Sequence, residues 1–576
     1  MLPASSSRHL LLEVTDIEQA VALSPLVQSG QGGVDGLIAK GHESGGWVGE
    51  DSAFVLTQKL LEKQSLPIYV QGGIGIHTVA ACYAAGARGV VLDDQLWLMP
   101  ESPLPVEWQS YLKNLNGQEA IVIGERLSQS CRVLSRPGFQ AISALQKLAE
   151  QVELSQAVAD NPNPEQAKSK IRNPKSLDWQ QQAQLSIAWG TPGTVAWPMG
   201  QAVGIAASIR DRYKTTGRFI QALLQASREH AKIAQTLQPL GSNAPLAVSH
   251  GTKYPIVQGP MTRVSDTAEF ANAVSQAGGL PLLALALMRG EQVRELLYKT
   301  KTLLGDRSWG IGILGFVPQA VREEQLKEVK AVKPPFALIA GGRPDQAAHL
   351  EAQGIATYLH VPVPTLLKLF LEQGARRFIF EGRECGGHVG PLSSFLLWDS
   401  MIETLLKEVP TGAEQEIHVL FAGGIHDARS AAMVSAMAAP LAERGMRIGV
   451  LMGSAYLFTE EAVSCGAIVK EFQETAIACT RTVNLETGPG HASRCAITPF
   501  AHEFYATRRN LLASGSSAED IKNALEHLTL GRLRIASKGL VRDSVGQIVA
   551  VEVEQQMRDG MYMIGQVATL RDKACS

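Results

Sequence analysis

The sequence predicts an α/β chain whose larger part is a parallel (β/α)8 TIM barrel, preceded by a degenerate half-barrel repeat. Three observations predict it. Eight short aliphatic runs recur between about Lys253 and Met452. Glycine clusters follow several of these runs, not one alone. The stretch from Gly41 to Ser102 also repeats, in order and character, the stretch from Gly382 to Ala462.

In chain order the runs are Pro255–Gln258, Pro281–Leu285, Gly310–Leu314, Phe336–Ala340, Ala356–His360, Arg377–Glu381, His418–Ala422 and Arg447–Met452. Their starts lie roughly 20 to 41 residues apart, room for a strand, a helix and two loops. Apolar runs without alternation suit strands buried on both faces, as in a parallel sheet. Helical patterns such as Asp266–Ala277 and Ala428–Ala439 lie between them. An open doubly wound sheet is the competing reading; glycines after several strands favour the barrel. Thr215–Leu240 reads as a long amphipathic helix leading in. Ala501–Leu512, Ala518–Leu528 and Val551–Ala568 read as a helical lid.

The internal repeat pairs GHESGGWVG at Gly41–Gly49 with GRECGGHVG at Gly382–Gly390. PIYVQGGI at Pro67–Ile74 answers HVLFAGGI at His418–Ile425, and Gly89–Ser102 answers Gly449–Ala462. Leu11–Val14 precedes the first set as Ala356–His360 precedes the second. The first copy therefore resembles barrel strands five to eight alone. Half a barrel leaves open edges, so it must pack on the following segment, on the second barrel or on another chain. The expected domains are 1–150 for the half-barrel, 151–250 for a linker and helical connector, 251–480 for the barrel and 481–576 for the lid. Ser155–Gln182, rich in Asn, Pro, Gln and Lys, is the expected linker.

Composition narrows the function. The chain has 576 residues, with 53 Lys plus Arg against 55 Asp plus Glu. This balance offers no basic stripe for nucleic acid and no polybasic patch for a membrane. No apolar run approaches the roughly 18–20 residues of a membrane span. The N-terminus, with one Arg and a very short apolar stretch, is a poor signal peptide. Seven cysteines without a CxxC spacing indicate neither a disulfide framework nor a metal site, and a cytoplasmic setting is expected.

Active sites of such barrels lie where the strands end. After the first strand come Gly259, Pro260 and Met261; after the sixth, Glu384, Cys385, Gly386, Gly387 and His388; after the seventh, Gly423 and Gly424; after the eighth, Gly453 and Ser454. Loops after strands seven and eight commonly hold a phosphate, and glycine lets backbone N–H groups approach it. One phosphate over an apolar strand-end floor fits FMN better than a dinucleotide, and no GxGxxG follows the first strand. Plain turn glycines are the alternative for either cluster alone. His388 is the candidate acid–base group, since imidazole exchanges a proton near neutral pH; a structural histidine bonded to a loop carbonyl is the competing reading. Glu384 is expected to bond loop amides, and Cys385, matched by Ser44, to be a packing residue. In the first copy Trp47 replaces His388, and Asp93 and Asp94 replace Gly453 and Ser454, so that copy is expected to bind no flavin.

At these residues the chain resembles the nitronate monooxygenase (2-nitropropane dioxygenase) family and the related FMN-dependent enoyl-acyl-carrier-protein reductases. The matching stretches are PIVQGPM with Ala277–Gly279, EGRECGGHVG, FAGGI, GVLMGSAYLF, FQETAI and Gly565–Gln566. The resemblance implies an FMN barrel with a lid, flavin contacts on Gly259, Pro260, Met261, Gly386, Gly387, Gly423, Gly424, Gly453 and Ser454, and His388 as catalytic histidine. Many nitronate monooxygenases carry Asn in a VNLF pattern where Leu314 stands within Ile313-Leu314-Gly315-Phe316. The doubled architecture resembles flavin domains that work with polyketide and polyunsaturated fatty acid synthases.

Three functions follow as expectations. The first is a nitronate monooxygenase-type FMN oxidoreductase in which His388 removes an acidified proton. The second is an NAD(P)H-dependent enoyl reductase acting on a carrier-protein-bound chain. The third is a non-catalytic synthase scaffold. Synthase partners or a homodimer through the half-barrel are the expected macromolecular contacts.

Overall fold

The computed structural model describes residues 9–28, 33–127, 129–159, 179–315, 317–488 and 490–575, with side chains left out at 24–28 and 154–159. The N-terminal octapeptide, most of the expected linker (160–178) and Phe316 lie outside the described residues. The chain divides into two compact units, Met1–Ala231 and Lys232–Ser576.

In the second unit eight parallel strands close into a barrel. They are β8 (Ile256–Gln258), β9 (Leu280–Ala284), β10 (Gly310–Leu314), β11 (Phe336–Ala340), β12 (Ala356–His360), β13 (Arg377–Glu381), β15 (His418–Ala422) and β16 (Arg447–Met452), with β16 pairing back to β8. The strands fall where the apolar runs predict. The interior is a packed core that includes Val257, Leu282, Leu338, Tyr358, Ile379 and Leu420. Gly312 in β10 is required by a close approach: a Cβ there would strike the ring of Pro260.

Where the strands begin, a polar chain closes the barrel. His250 Nε2 lies 2.7 Å from the Tyr358 hydroxyl, which lies 3.1 Å from His418 Nδ1. Arg447 stands beyond, 3.3 Å from His418 Nε2, and donates to Ser249 Oγ at 2.8 Å. Burial, reinforced by the Arg377 and Arg447 charges, pushes His250 down to about 3 and His418 down to about 2.

At the opposite end the chain adds β14 (Gly387–His388), β17 (Thr482–Gly488) and β18 (His491–Ala496), paired in the order β14-β18-β17. Helices Pro499–Ala513 and Ala518–Thr529 follow, as the periodicity predicts. The expected helix over Val551–Ala568 is corrected. Its α-helical part is Val553–Asp559; after Gly560 the chain pairs with β18, with Tyr562 O accepting from Ala496 N at 2.9 Å, before a 3-10 turn over Gln566–Leu570. The lid thus contains strand pairing that sequence periodicity did not reveal. A short hairpin of β19 (Leu540–Arg542) and β20 (Ile548–Ala550) completes it.

The first unit holds a four-stranded parallel sheet of β1 (Leu10–Val14), β2 (Val34–Lys40), β4 (Ile68–Gln71) and β5 (Gly89–Val91) in that order. A second sheet pairs β3 (Gly46–Val48), β7 (Ser130–Leu134) and β6 (Ala120–Ile123). Within this unit the following segment does pack on the half-barrel: Trp179, Trp197 and Met199 share a core with Cys131 and Val133, and Trp47 packs against it. The repeat also extends past residue 150, the limit expected for it, as the hydrogen bonds below show. Helix Gln140–Ala159 runs into the expected linker, so its first residues are helical. The predicted long helix spans Thr216–Leu237.

Candidate functional site

The strand ends of the barrel open into a cavity of about 1000 Å³. All ten predicted site residues line it: Gly259, Pro260, Met261, Gly386, Gly387, His388, Gly423, Gly424, Gly453 and Ser454. Leu314 lines it too, with an apolar arm of Pro362, Leu366, Leu369 and Phe370.

The loop after β13 is held from three sides. Glu384 is buried and accepts from Ser394 N at 3.0 Å and Ser394 Oγ at 2.6 Å, while its backbone oxygen accepts from Gln566 N at 2.9 Å. It therefore anchors the loop, as its sequence reading expects. Cys385 donates from Sγ to the His388 carbonyl at 3.3 Å, and burial pushes its thiol well up. A thiol so held is a poor nucleophile. Arg494 of β18 reaches under the loop, donating from Nη2 to Arg383 O at 3.0 Å and from Nη1 to Thr482 Oγ1 at 2.9 Å.

His388 sits in β14, paired with Ser493, and its side chain opens to the cavity. Desolvation lowers its pKa; the Glu381 charge opposes this and His491 adds to it. A lowered pKa leaves the ring neutral near pH 7, the form that accepts a proton.

Two lining residues were missed. His360 and Glu381 end β12 and β13, with His360 Nδ1 3.6 Å from Glu381 Oε2. Both were visible as the last residues of predicted strands, but lay outside the glycine clusters that drew attention. Arg494 was missed as well, because its partner Arg383 is 111 residues away.

The two copies match at the level of single hydrogen bonds. Gly46 pairs with Arg132 as Gly387 pairs with Arg494, so Trp47 does stand at the His388 position. Arg132 Nε donates to His42 O at 2.8 Å, as Arg494 Nε donates to Arg383 O at 3.2 Å. Gln201 N donates to Glu43 O at 2.8 Å, the counterpart of Gln566 and Glu384. Gly200 N donates to Asp94 Oδ2 at 2.8 Å, as Gly565 N donates to Ser454 Oγ at 2.8 Å.

The copies differ at the backbone amide of Asp94 and its counterpart Ser454. In the first, Asp94 N donates to Asp93 Oδ1 at 2.8 Å, and Gln71 Nε2 donates to Asp93 Oδ2 at 2.9 Å. In the second, Gly453 has no side chain, and the Ser454 amide has no partner among the described residues. A Cβ on Gly453 would meet nothing closer than Met261 Sδ at 3.6 Å, so protein packing does not demand glycine there. Gly423 (φ 109°) and Gly424 (φ 76°), by contrast, occupy backbone conformations that favour glycine. Burial raises Asp94 well above the usual carboxyl range, with Asp93 adding to it.

Among the described residues no cluster of three or more His, Cys, Asp or Glu suits a metal ion, and no helix is long and apolar enough to cross a membrane. A relative from Rhodococcus jostii (strain RHA1), a (3aS,4S,5R,7aS)-5-hydroxy-7a-methyl-1-oxo-octahydro-1H-indene-4-carboxyl-CoA dehydrogenase, is 26% identical over 335 residues, 56% of this chain and 89% of the relative. Among solved structures, FabK from Thermotoga maritima matches at 25% identity and a TM-score of 0.45, covering 57% of this chain and 90% of that one. A nitroalkane oxidase from Streptomyces ansochromogenes matches at 18% identity and a TM-score of 0.42, covering 57% and 94%. The family model described as nitronate monooxygenase matches residues 10–195 and 317–574, more than half of the chain. The chain therefore belongs to the nitronate monooxygenase family and is a flavin-dependent oxidoreductase.

Proposed function

We propose that the barrel of Lys232–Ser576 binds FMN and performs oxidoreduction of the nitronate monooxygenase type, with His388 transferring the proton. The observation that carries this reading is the unpartnered Ser454 amide beside Gly453, at the position where the first copy supplies the Asp93 carboxylate. A side-chain oxygen that caps this amide in one copy marks the place for an external acceptor, a phosphate, in the other. Gly423 and Gly424 from the adjacent loop, with Gly259, Pro260 and Met261, and Gly386 and Gly387, would complete the cofactor's surroundings. Bound flavin supplies a two-electron acceptor or donor.

His388 does the rest of the chemistry assigned to the chain. Its lowered pKa keeps the imidazole free to take a proton from a carbon acidified by a nitro or carbonyl neighbour. The β14–β18 pairing fixes its backbone, and Cys385 ties down its carbonyl. The neutral base and the electron acceptor would thus meet at one cavity wall.

A second reading is favoured by the apolar arm and by Leu314 in the cavity wall. These surfaces suit a substrate longer than a small nitronate. In this reading NAD(P)H is the electron donor and the substrate is an enoyl thioester, free or carrier-bound. The Rhodococcus relative, named for a carboxyl-CoA substrate, supports the thioester class.

The test is a visible spectrum of the purified full chain, then anaerobic titration with a nitronate and, separately, with NADPH. Bleaching of a flavin band by the nitronate supports the first reading, and bleaching by NADPH alone the second. Protein that stays colourless after incubation with excess FMN overturns both.

A further inference from the structure

We infer that His360, held by Glu381, is the cationic group on the cavity floor that offsets the negative charge a flavin ring acquires on reduction. The inference rests on the FMN reading above. Tyr358 and Ile379 belong to the barrel core. Side chains alternate along a strand, so His360 and Glu381, two residues further on, face the same way and form the layer above that core. Both line the cavity. Gly259, Ala340, Ala422 and Gly453 stand two residues beyond Val257, Leu338, Leu420 and Leu451 of the same core. They line the cavity too, and none carries an ionisable group. His388, by contrast, enters from β14, which is not a barrel strand. Floor and base are thus supplied by different elements.

His360 is not tied into the fold. Its Nδ1 lies 3.6 Å from Glu381 Oε2, within ion-pair reach but too long for a hydrogen bond, and its Nε2 is buried without a partner among the described residues. The structural histidines of the barrel differ, since His250 and His418 each contact the Tyr358 hydroxyl at hydrogen-bond distance. A ring with no hydrogen bond to lose can turn about χ2 and offer either nitrogen to a ligand.

The first copy provides a comparison. Glu13 stands opposite Ile38 as His360 stands opposite Ile379, so Glu13 occupies the His360 position and Lys40 the Glu381 position. Lys40 Nζ lies 3.0 Å from Glu13 Oε1. Each copy therefore pairs a basic group with a carboxylate here, in opposite order. A fold that needed only an ion pair would be served by either order. Beside the loops assigned to FMN, the basic group is on the β12 side and is an imidazole. In its charged form it carries an N–H on each nitrogen, one for Glu381 and one for a ligand.

Two electrons and one proton entering a neutral flavin ring leave it with one negative charge; NAD(P)H or the substrate supplies them, as the two readings above have it. Charge placed near the ring tunes such a cofactor. A cation on the floor favours the reduced form, and Glu381 keeps that cation in place.

Spectroelectrochemical titration of the flavin-loaded full chain tests this through the midpoint potential. His360→Leu and His360→Gln both remove the charge. Each should lower the potential by at least the equivalent of a ten-fold change in the ratio of reduced to oxidised flavin affinity, about 30 mV for two electrons. His360→Lys, a permanent cation like Lys40, should recover most of that loss. Glu381 acts through His360, so Glu381→Gln should shift the potential when His360 is present and by less than two-fold in the His360→Leu background; an equal shift in both would remove its positioning role. Leu and Gln variants within two-fold of wild type, or a Lys variant as low as the Leu variant, would overturn the assignment of His360. The flavin absorbance of the same samples keeps the two readings apart. A wild-type chain that binds no flavin condemns the FMN reading, whereas bound flavin with an unmoved potential condemns only the floor pair.

Discussion

Replacing Gly453 by Asp copies into the second unit what the first already has. Asp93 there adopts φ −138° and ψ −101°, close to the −108° and −81° of Gly453, so the backbone accepts an aspartate. The nearest atom to a new Cβ is Met261 Sδ at 3.6 Å, an ordinary contact. The effect should therefore be electrostatic. A carboxylate about 4 Å from a phosphate costs about 4 kcal/mol per pair of unit charges at an effective dielectric of about 20. A phosphate monoester near −1.5 to −2 raises this to about 6–8 kcal/mol. The aspartate has an escape, which is to take up a proton. From an ordinary pKa of about 3.9, protonation at pH 7 costs about 4 kcal/mol. The cheaper route wins, so FMN affinity should fall about 10³-fold at pH 7. The loss should shrink nearly ten-fold for each pH unit below that. Gly453→Asn has the same size without the charge and should show no such slope. Quenching of flavin fluorescence on titration into apoprotein gives both dissociation constants. If the Asp and Asn variants bind FMN within ten-fold of each other at pH 7, the phosphate does not lie at Gly453 and the assignment fails.

Three other outcomes are expected. His388→Asn should keep its flavin band and lose about 10²–10⁴-fold in turnover, and turnover within a few-fold of wild type would remove it from the mechanism. His250 and His418 are held neutral when folded but protonate below about pH 6.5 when unfolded, so the unfolded state binds more protons in acid and stability drops as pH falls. Between pH 6.5 and 5 the loss is about 2 kcal/mol for each, read as a lower urea midpoint, and an unchanged midpoint would contradict the buried-neutral assignment. Arg494→Leu strips donors from the Arg383 carbonyl and Thr482 hydroxyl and should cost about 2–4 kcal/mol, seen as a lower Tm with weaker FMN retention; an unchanged Tm would show that other groups hold the loop.

The barrel strands were legible because each is apolar on both faces, which leaves uninterrupted runs such as FALIA and HVLFA. The hairpin of β17 and β18 was not. His491–Ala496 is half polar, since one side of it meets the site loop through Arg494 and the other meets the lid core through Cys495. The expected helix over Val551–Ala568 broke for a similar reason: Tyr562–Ile564 satisfies its backbone against β18, a partner that local periodicity cannot contain. Among site residues, glycines with unusual backbone and the histidine between them stood out. His360 and Glu381 did not, because a single polar residue at a strand end is common. The first copy's true extent was also hidden: Gly200–Gln201 echoes Gly565–Gln566, but the segments before them differ in length and composition.

The doubled chain separates two tasks that a single flavin site combines. The contacts that shape the loop after the sixth strand are kept in both copies, with an acid at Glu43 or Glu384, a guanidinium at Arg132 or Arg494, and a glycine amide at Gly200 or Gly565. The groups that face the cavity are not kept. Histidine becomes tryptophan, and the glycine and serine become two aspartates. In the first copy Trp97, Trp189 and Trp197 then pack ring to ring, with centroids 4.5 and 5.2 Å apart, beside the core that Trp47 joins. Had the loop depended on a bound cofactor for its shape, replacing the cofactor's contacts would have released it. Its hydrogen bonds persist instead, so the loop is set by the chain itself. Flavin binding in the second unit should therefore cost little reorganisation of this segment, and the affinity there is decided by a few exposed positions, Gly453 foremost.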